Sequence, residues 1–159
     1  MATIPSSPAV KAGFGLSLKG RALRLLAARE HSRAELERRL KAHEEAPGQL
    51  AQVLDELQAK DFISEARVVE SVINRRAAKF GASRVKYELL GKGLGAEVVL
   101  EAMASLKATE VERAREVWRR KFGTPAPDAA GRAKQMRFLA ARGFGSDAIR
   151  RAVSQPEDE

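Results

Sequence analysis

From Leu18 onward the apolar residues recur every three to four positions, the period of a helix that buries one stripe of its surface. Leu18, Ala22, Leu25 and Leu26 form the first such stripe, with Lys19, Arg21 and Arg24 off it. Ser32 stands three residues before Glu35 and ahead of Leu36 and Leu40. In that pattern a hydroxyl caps one end-of-helix amide and the glutamate answers with another, so a second helix starts there. Pro47 and Gly48 reset the chain, and Leu50, Val53, Leu54 and Leu57 mark a third helix. A fourth opens at Ser64 and Glu65 and carries Val68, Val69, Val72, Ile73, Ala77 and Phe80, with Gly81 as its terminator. Val85 and Leu89 mark a fifth, closed by Gly91, Lys92 and Gly93, since glycine takes the left-handed cap cheaply. Val98, Val99, Ala102, Met103 and Leu106 define a sixth. Thr109 with Glu112 predicts another capping box, ahead of a seventh helix whose face is Val111, Ala114, Val117, Trp118 and Phe122. Pro125 and Pro127 break the chain before an eighth helix over 128–142, holding Ala133, Met136, Leu139 and Ala140. Gly143 and Gly145 precede a ninth with Ile149 and Val153. Nothing alternates with period two, so no strand is predicted and the fold class is all-α, nine short helices.

The pattern repeats. Shifting the chain on itself by about 49 residues lays Ser32, Leu36, Leu40, Leu50, Leu54 and Leu57 over Gly81, Val85, Leu89, Val99, Met103 and Leu106. A shift of about 64 lays Phe80, Gly81, Val85 and Leu89 over Phe144, Gly145, Ile149 and Val153, a weaker third copy. A helical unit of about forty residues cannot cover its own apolar face, so tandem three-helix units stacked into an elongated body are expected. The expected division is a disordered lead over 1–16, repeats over 17–60, 61–108 and 109–155, and an acidic tail at 156–159.

Charge changes the picture. Lysine and arginine number 29 against 21 acidic residues, a net charge of +8, and Glu157, Asp158 and Glu159 concentrate acid at the end, so the body is more basic than the total. Such an excess attracts polyanions through its summed field and counterion release, or simply keeps a protein soluble. The chain has no cysteine, which excludes disulfides, thiolate nucleophiles and cysteine-bound zinc. The first sixteen residues lack the basic start and apolar run of a secretory signal, and no stretch approaches about eighteen apolar residues. A cytoplasmic protein, without membrane association, is expected.

Parts for catalysis are missing. His31 and His43 are the two histidines. They straddle a helix without a third ligand, and His31, just before the Ser32 cap, reads as a turn residue because a general base needs an orienting partner. Gly91-Lys92-Gly93 follows a helix, not a strand, and has no Gly-Lys-Ser/Thr box, so it reads as a helix end and not a phosphate cradle. Asp55 and Glu56 read as a solvated face. No enzyme activity, cofactor or metal is expected.

Cations are the remaining candidates for function. Lys19, Arg21, Arg24 and Arg29 lie on helix one; Arg33 and Arg38 on helix two, with Arg39 and Lys41 beside them; Arg75, Arg76, Lys79, Arg84 and Lys86 around the central turn. Arg119 and Arg120 follow on helix seven, beside Arg115 and Lys121, then Arg132, Lys134 and Arg137, and finally Arg142, Arg150 and Arg151. Some pair along their own helix, as Glu116 does with Arg120 at i, i+4. The rest are candidates for lining one side of the row, where a planar guanidinium suits phosphate or carboxylate alike. Trp118 and Tyr87 are possible stacking residues, although Trp118 shares the core face of helix seven.

Four segments carry a resemblance to a known family. ALRLLAAREHSRAELERRL at Ala22–Leu40, VLDELQAKDFISEARVVESVI after it, KFGASRVKYELLGKGL at Lys79–Leu94 and MRFLAARGFGSDAIRRAV near the end resemble the RecX family in order and spacing, from about residue 18 to 154. The resemblance implies a curved row of three three-helix units in the groove of a RecA filament on single-stranded DNA. There it would restrain recombinase, ATPase and coprotease activity in DNA repair and the SOS response, as a monomer with weak direct DNA binding. The family usually places glycine where this chain has Asp61, followed by Phe62, Ile63, Ser64 and Glu65; aspartate tolerates a left-handed turn and serine still caps. A second reading takes Ala22–Leu40 as a helix-turn-helix pair binding nucleic acid on its own, and a third takes the chain as a scaffold for another helical protein.

Overall fold

A computed structural model describes residues 16–154. The irregular lead expected over 1–16, save Leu16, and the acidic tail expected over 156–159 lie outside the described residues. Nine α-helices occur among them, with no strand: α1 Leu18–Ala28, α2 Arg33–Leu40, α3 Gln49–Ala59, α4 Glu65–Arg76, α5 Ala82–Gly91, α6 Ala96–Ala108, α7 Glu110–Lys121, α8 Ala129–Ala141 and α9 Ser146–Val153. A short 3-10 turn, Lys41–His43, extends α2. The chain forms two compact units, Met1–Val68 and Val69–Glu159.

In the first unit the predicted stripes are the core. Leu18 and Ala22 of α1, Leu36 and Leu40 of α2, and Leu50, Leu54 and Leu57 of α3 are buried in one cluster with Ile63. Each fully buried leucine contributes roughly 2–3 kcal/mol. The capping box is present: Ser32 Oγ accepts from Glu35 N at 3.1 Å, and Glu35 Oε1 accepts from Ser32 N at 3.0 Å. The other oxygen of Glu35 takes Arg29 at 3.0 Å. Asp61 has φ +66°, the left-handed turn anticipated for it, and Ser64 Oγ caps α4 by accepting from Arg67 N at 3.2 Å. Arg67 then clamps that turn, donating to Asp61 Oδ2 at 3.0 Å and to Glu30 at 2.8 Å. Glu30 beside it raises the pKa of the Arg67 guanidinium.

The second unit has an apolar cluster built on α7, α8 and α9: Ala114, Val117, Trp118, Leu139, Phe144 and Ile149, with Ala148, Ala152 and Val153. Val85, Leu89, Val99, Ala102 and Leu106 are buried on α5 and α6. The turn before α5 and the turn before α9 touch backbone to backbone: Gly81 N donates to Arg142 O at 2.8 Å and Ser83 N to Gly143 O at 3.3 Å. One buried and one half-buried side chain of α7 serve the ends of the other helices. Glu110 Oε1 accepts from Ala82 N at 3.1 Å and Gly145 N at 3.4 Å, where helix dipoles favour negative charge. One turn on, Arg113 donates to Phe80 O at 2.9 Å, Ala77 O at 3.2 Å and Leu106 O at 2.8 Å, carbonyls that end α4 and α6.

Two local expectations are corrected. Helix α4 stops at Arg76 and does not run on to Ala77 and Phe80, so Gly81 is not its terminator. Gly81 is extended, φ −78° and ψ 173°, and is the N-cap of α5. The carbonyls of Ala77 and Phe80 are taken by Arg113, which offsets the loss of a further helical turn. At Thr109 there is no capping box: the residue alone separates α6 from α7, and its hydroxyl makes no cap bond to α7. Instead it donates to Leu106 O at 3.3 Å and accepts from Arg113 Nε at 3.1 Å. Glu112, its expected partner, is exposed and holds Arg115 at 3.1 Å.

The repeat is a repeat of caps. Ser32, Gly81 and Gly145 precede α2, α5 and α9 with nearly the same backbone, φ/ψ of −77/161°, −78/173° and −75/158°. The residues before them are His31, Phe80 and Phe144. Phe144 is core, and so is His31, at 1% exposure, whereas Phe80 is half-buried. His31 occupies an apolar residue's place: its Nδ1 pairs with Arg29 O at 3.0 Å and its Nε2 has no partner. Burial pushes its pKa below the ordinary imidazole value.

Two predictions follow from this packing. A Cβ on Gly81 would lie 2.5 Å from Gly143 C and O and from Phe144 Cα, all backbone atoms. Gly81→Ala is expected to cost roughly 3 kcal/mol in urea unfolding. For His31, the unfolded chain takes the proton first, so stability is full above about pH 6.5 and falls as pH drops toward the lower folded-state pKa. His31→Phe, which places here the residue found at the equivalent positions before α5 and α9, should flatten the urea midpoint between about pH 7.5 and about pH 5.5; an unchanged slope refutes the assignment.

Candidate polyanion-binding surfaces

The expected cations divide into braces and free charges. In the first unit Lys19 holds Glu56 at 2.7 Å, Arg29 holds Glu35 at 3.0 Å, and Arg33 ties α2 to α3 through Asp55 at 2.8 Å and Gln58 at 2.9 Å. Lys19, then Lys60, lowers the pKa of the Glu56 carboxyl. These three cations are neutralised where they stand. Arg21 and Arg24 meet no carboxylate among the described residues. With Arg39 and His43 they surround a 300 Å³ pocket whose apolar wall is Leu16, Leu25 and Leu40. Arg38 is exposed on α2.

In the second unit Arg75 and Arg76 both bind Glu88, each at 3.0 Å. Arg119 and Arg120 share Glu116 at 3.0 and 3.4 Å, the intrahelical pairing anticipated, and Arg150 and Arg151 share Asp147 at 3.6 Å each. Exposed pairs of this kind contribute little to stability and are screened by salt. Lys86 on α5 and Arg132, Lys134 and Arg137 on α8 are exposed, with no acidic partner among the described residues.

One place gathers several of the expected residues. Phe80 lies under three guanidinium groups: Arg84 at 4.8 Å from its ring centroid, Arg76 at 5.4 Å and Arg142 at 5.4 Å. Arg142 also sits 4.9 Å from the Phe138 centroid, and Lys121 5.3 Å from it. Each ring face attracts a cation by about 0.5–1 kcal/mol at such exposure. The backbone orients them further: Arg84 donates to Ala141 O at 2.8 Å and Arg142 to Lys79 O at 3.3 Å. Between the two rings runs a 510 Å³ groove lined by Lys79, Arg120, Lys121 and Arg142, with Val117 and Ala78 and no carboxylate. A smaller 170 Å³ hollow on the other side of Phe80 holds Arg76, Arg84 and Glu88.

Reading the sequence alone missed the rings. In the sequence Phe80 reads as part of a helix stripe, Phe138 falls off the stripe of α8, and Lys121 reads as a neighbour of Arg119 and Arg120. Glu110, Arg113 and Arg67 were missed as well, since their partners include groups 28 to 37 residues away. Of the possible stacking residues, Trp118 is core, 5% exposed and hydrogen-bonded to Gln135 Oε1 at 3.0 Å, while Tyr87 is 81% exposed. Burial lowers the pKa of the Arg113 guanidinium, with Glu110 acting against it; an arginine remains charged regardless. Among the described residues no group of three or more His, Asp or Glu is placed to hold a metal ion, and no helix is long and apolar enough to cross a membrane.

The chain matches two family models, the first three-helix domain of RecX over residues 19–57 and the third three-helix domain of RecX over residues 108–153. It is 54% identical over 144 residues to the regulatory protein RecX of Leptothrix cholodnii, covering 91% of this chain and 92% of that one. It is 52% identical to the regulatory protein RecX of Herminiimonas arsenicoxydans, covering 90% and 95%. Among solved structures, RecX from Lactobacillus salivarius superposes with a TM-score of 0.73 at 18% identity, over 86% of this chain and 92% of that one, a likeness of fold. A second crystal structure of a regulatory protein RecX gives 0.71 at 16% identity, over 98% and 81%.

Proposed function

The chain belongs to the RecX family of regulatory proteins, and from that premise we propose that it binds the RecA filament on single-stranded DNA and restrains its recombinase, ATPase and coprotease activities. The observation that carries the reading is the family membership, over some nine-tenths of the chain. The surface chemistry supports it. Arg21 and Arg24, Lys79, Lys121 and Arg142 of the Phe80–Phe138 groove and the exposed cations of α8 are left without carboxylates, as a surface meeting phosphates or acidic side chains requires. We assign the three repeats to residues 17–60, 61–108 and 109–155. The protein acts as a cytoplasmic monomer whose parts are those of binding and not of catalysis.

Adding the purified protein to RecA assembled on single-stranded DNA, at concentrations well below RecA, should slow ATP hydrolysis and strand exchange. No effect on either, with no co-sedimentation, would overturn the proposal. Reversing Arg21→Glu and Arg24→Glu together should leave circular dichroism unchanged and weaken filament binding about tenfold. Loss of helix content in that variant would make both arginines structural.

A further inference from the structure

We propose that the Phe80–Phe138 groove of the second unit is a site for the phosphodiester backbone of nucleic acid, with Lys79, Arg120, Lys121 and Arg142 as its phosphate ligands. Inside the filament this deepens the reading above, because it assigns one surface to DNA rather than to protein; on naked strands it stands by itself.

The first argument is charge left uncompensated at close quarters. Four cations line a 510 Å³ groove that has no carboxylate in its wall. Lys79, Lys121 and Arg142 have no ion-pair partner among the described residues, and Arg120 shares its single partner, Glu116, with Arg119. Crowding like charges costs free energy, and the surface offsets it only partly, through ring faces and two backbone carbonyls. A bound polyanion removes that repulsion and releases its own condensed counterions.

The second argument is preorganisation. Arg142 is held by Lys79 O and by both rings, and the turn that carries it is fixed to the turn of Phe80 by the Gly81–Arg142 backbone bond at 2.8 Å. An Arg fork that spends one donor on its own backbone keeps others for a phosphate oxygen. Such a guanidinium loses little freedom on binding.

The third argument separates backbone from base. Guanidinium groups already sit against Phe80, and Arg142 and Lys121 sit against Phe138, so a base would have to compete with these cations for the rings. Recognition should therefore be indifferent to sequence. A nucleic-acid strand, with a charge about every 3.4 Å, matches a run of four cations more closely than a protein segment whose carboxylates are interspersed with neutral residues.

The test uses the full chain and fluorescence anisotropy with two probes, a fluorescein-labelled oligo-dT and a labelled hairpin duplex, across a range of sodium chloride. Lys79→Glu with Lys121→Glu is the groove variant. Lys41→Glu with Lys107→Glu makes the same change in net charge elsewhere. The groove variant should bind about tenfold or more weaker than the control at low salt, with the slope of log affinity against log salt shallower by about 1.4 on the single strand or about 1.8 on the duplex. The steeper loss tells which form the groove takes.

Equal binding by groove variant and control would overturn the proposal. So would a wild-type protein that binds neither probe but still slows ATP hydrolysis by RecA filaments and loses that effect in the groove variant. In that case the groove meets an acidic protein face, and the proposed function stands without it. Inhibition retained by a variant that has lost oligonucleotide binding supports the groove as a DNA site used apart from inhibition.

Discussion

The second unit depends on a single turn of α7. Glu110 and Arg113 are buried or half-buried, carry opposite charge, and are used against backbone rather than only against each other. A short helix leaves up to four amides and four carbonyls unsatisfied at its ends, and with nine short helices among the described residues that cost recurs at every joint. The carboxylate meets amides at the starts of α5 and α9, and the guanidinium meets carbonyls at the ends of α4 and α6. Around this pair the Gly81 and Gly143 turns approach closely enough that neither has room for a Cβ. Gly143 adds a left-handed backbone, φ +90°, which side chains rarely adopt.

The groove follows from that joint. Bringing the turn before α5 against the turn before α9 places Phe80 beside Arg142, and α8 then supplies Phe138 on the far wall. Arg84 and Arg142 thus have both a ring and a carbonyl to rest on, which fixes their heads without neutralising them. The contrast with Arg33, Arg75 and Arg150 is instructive: each is as basic by composition, yet each meets a carboxylate and serves the fold or merely the solvated surface. The same cap position is used three times with different occupants. Phe144 fills a core, His31 fills one with a polar ring, and Phe80, less covered, becomes a bed for guanidinium groups.

Much of the architecture was legible in the amino-acid sequence because it is local. The stripes of Leu36 and Leu40, Leu54 and Leu57, and Ala114 and Trp118 have the helical period and are the buried faces. The Ser32–Glu35 box involves residues within one turn of each other, so spacing alone identifies it, whereas the left-handed turn at Asp61 was expected from the resemblance to the family. The same reasoning failed at Thr109, where the pattern is present but a bond to Arg113 replaces the cap, and at Phe80, where the helix ends early because Arg113 takes its carbonyls.

Local spacing thus determined the helices, some of their caps and their repetition, and composition the excess of positive charge. Beyond pairs within one helix, such as Glu116 with Arg120, which arginines are spent on the fold and which remain available was decided only by tertiary structure. That choice rests on partners distant in sequence: Glu110 with Ala82 and Gly145, Arg142 with Lys79 and Phe80, Lys121 with Phe138. Periodicity reports which face of a helix turns inward, but a charge is neutralised or left free by whatever the folded chain brings within a few ångströms of it.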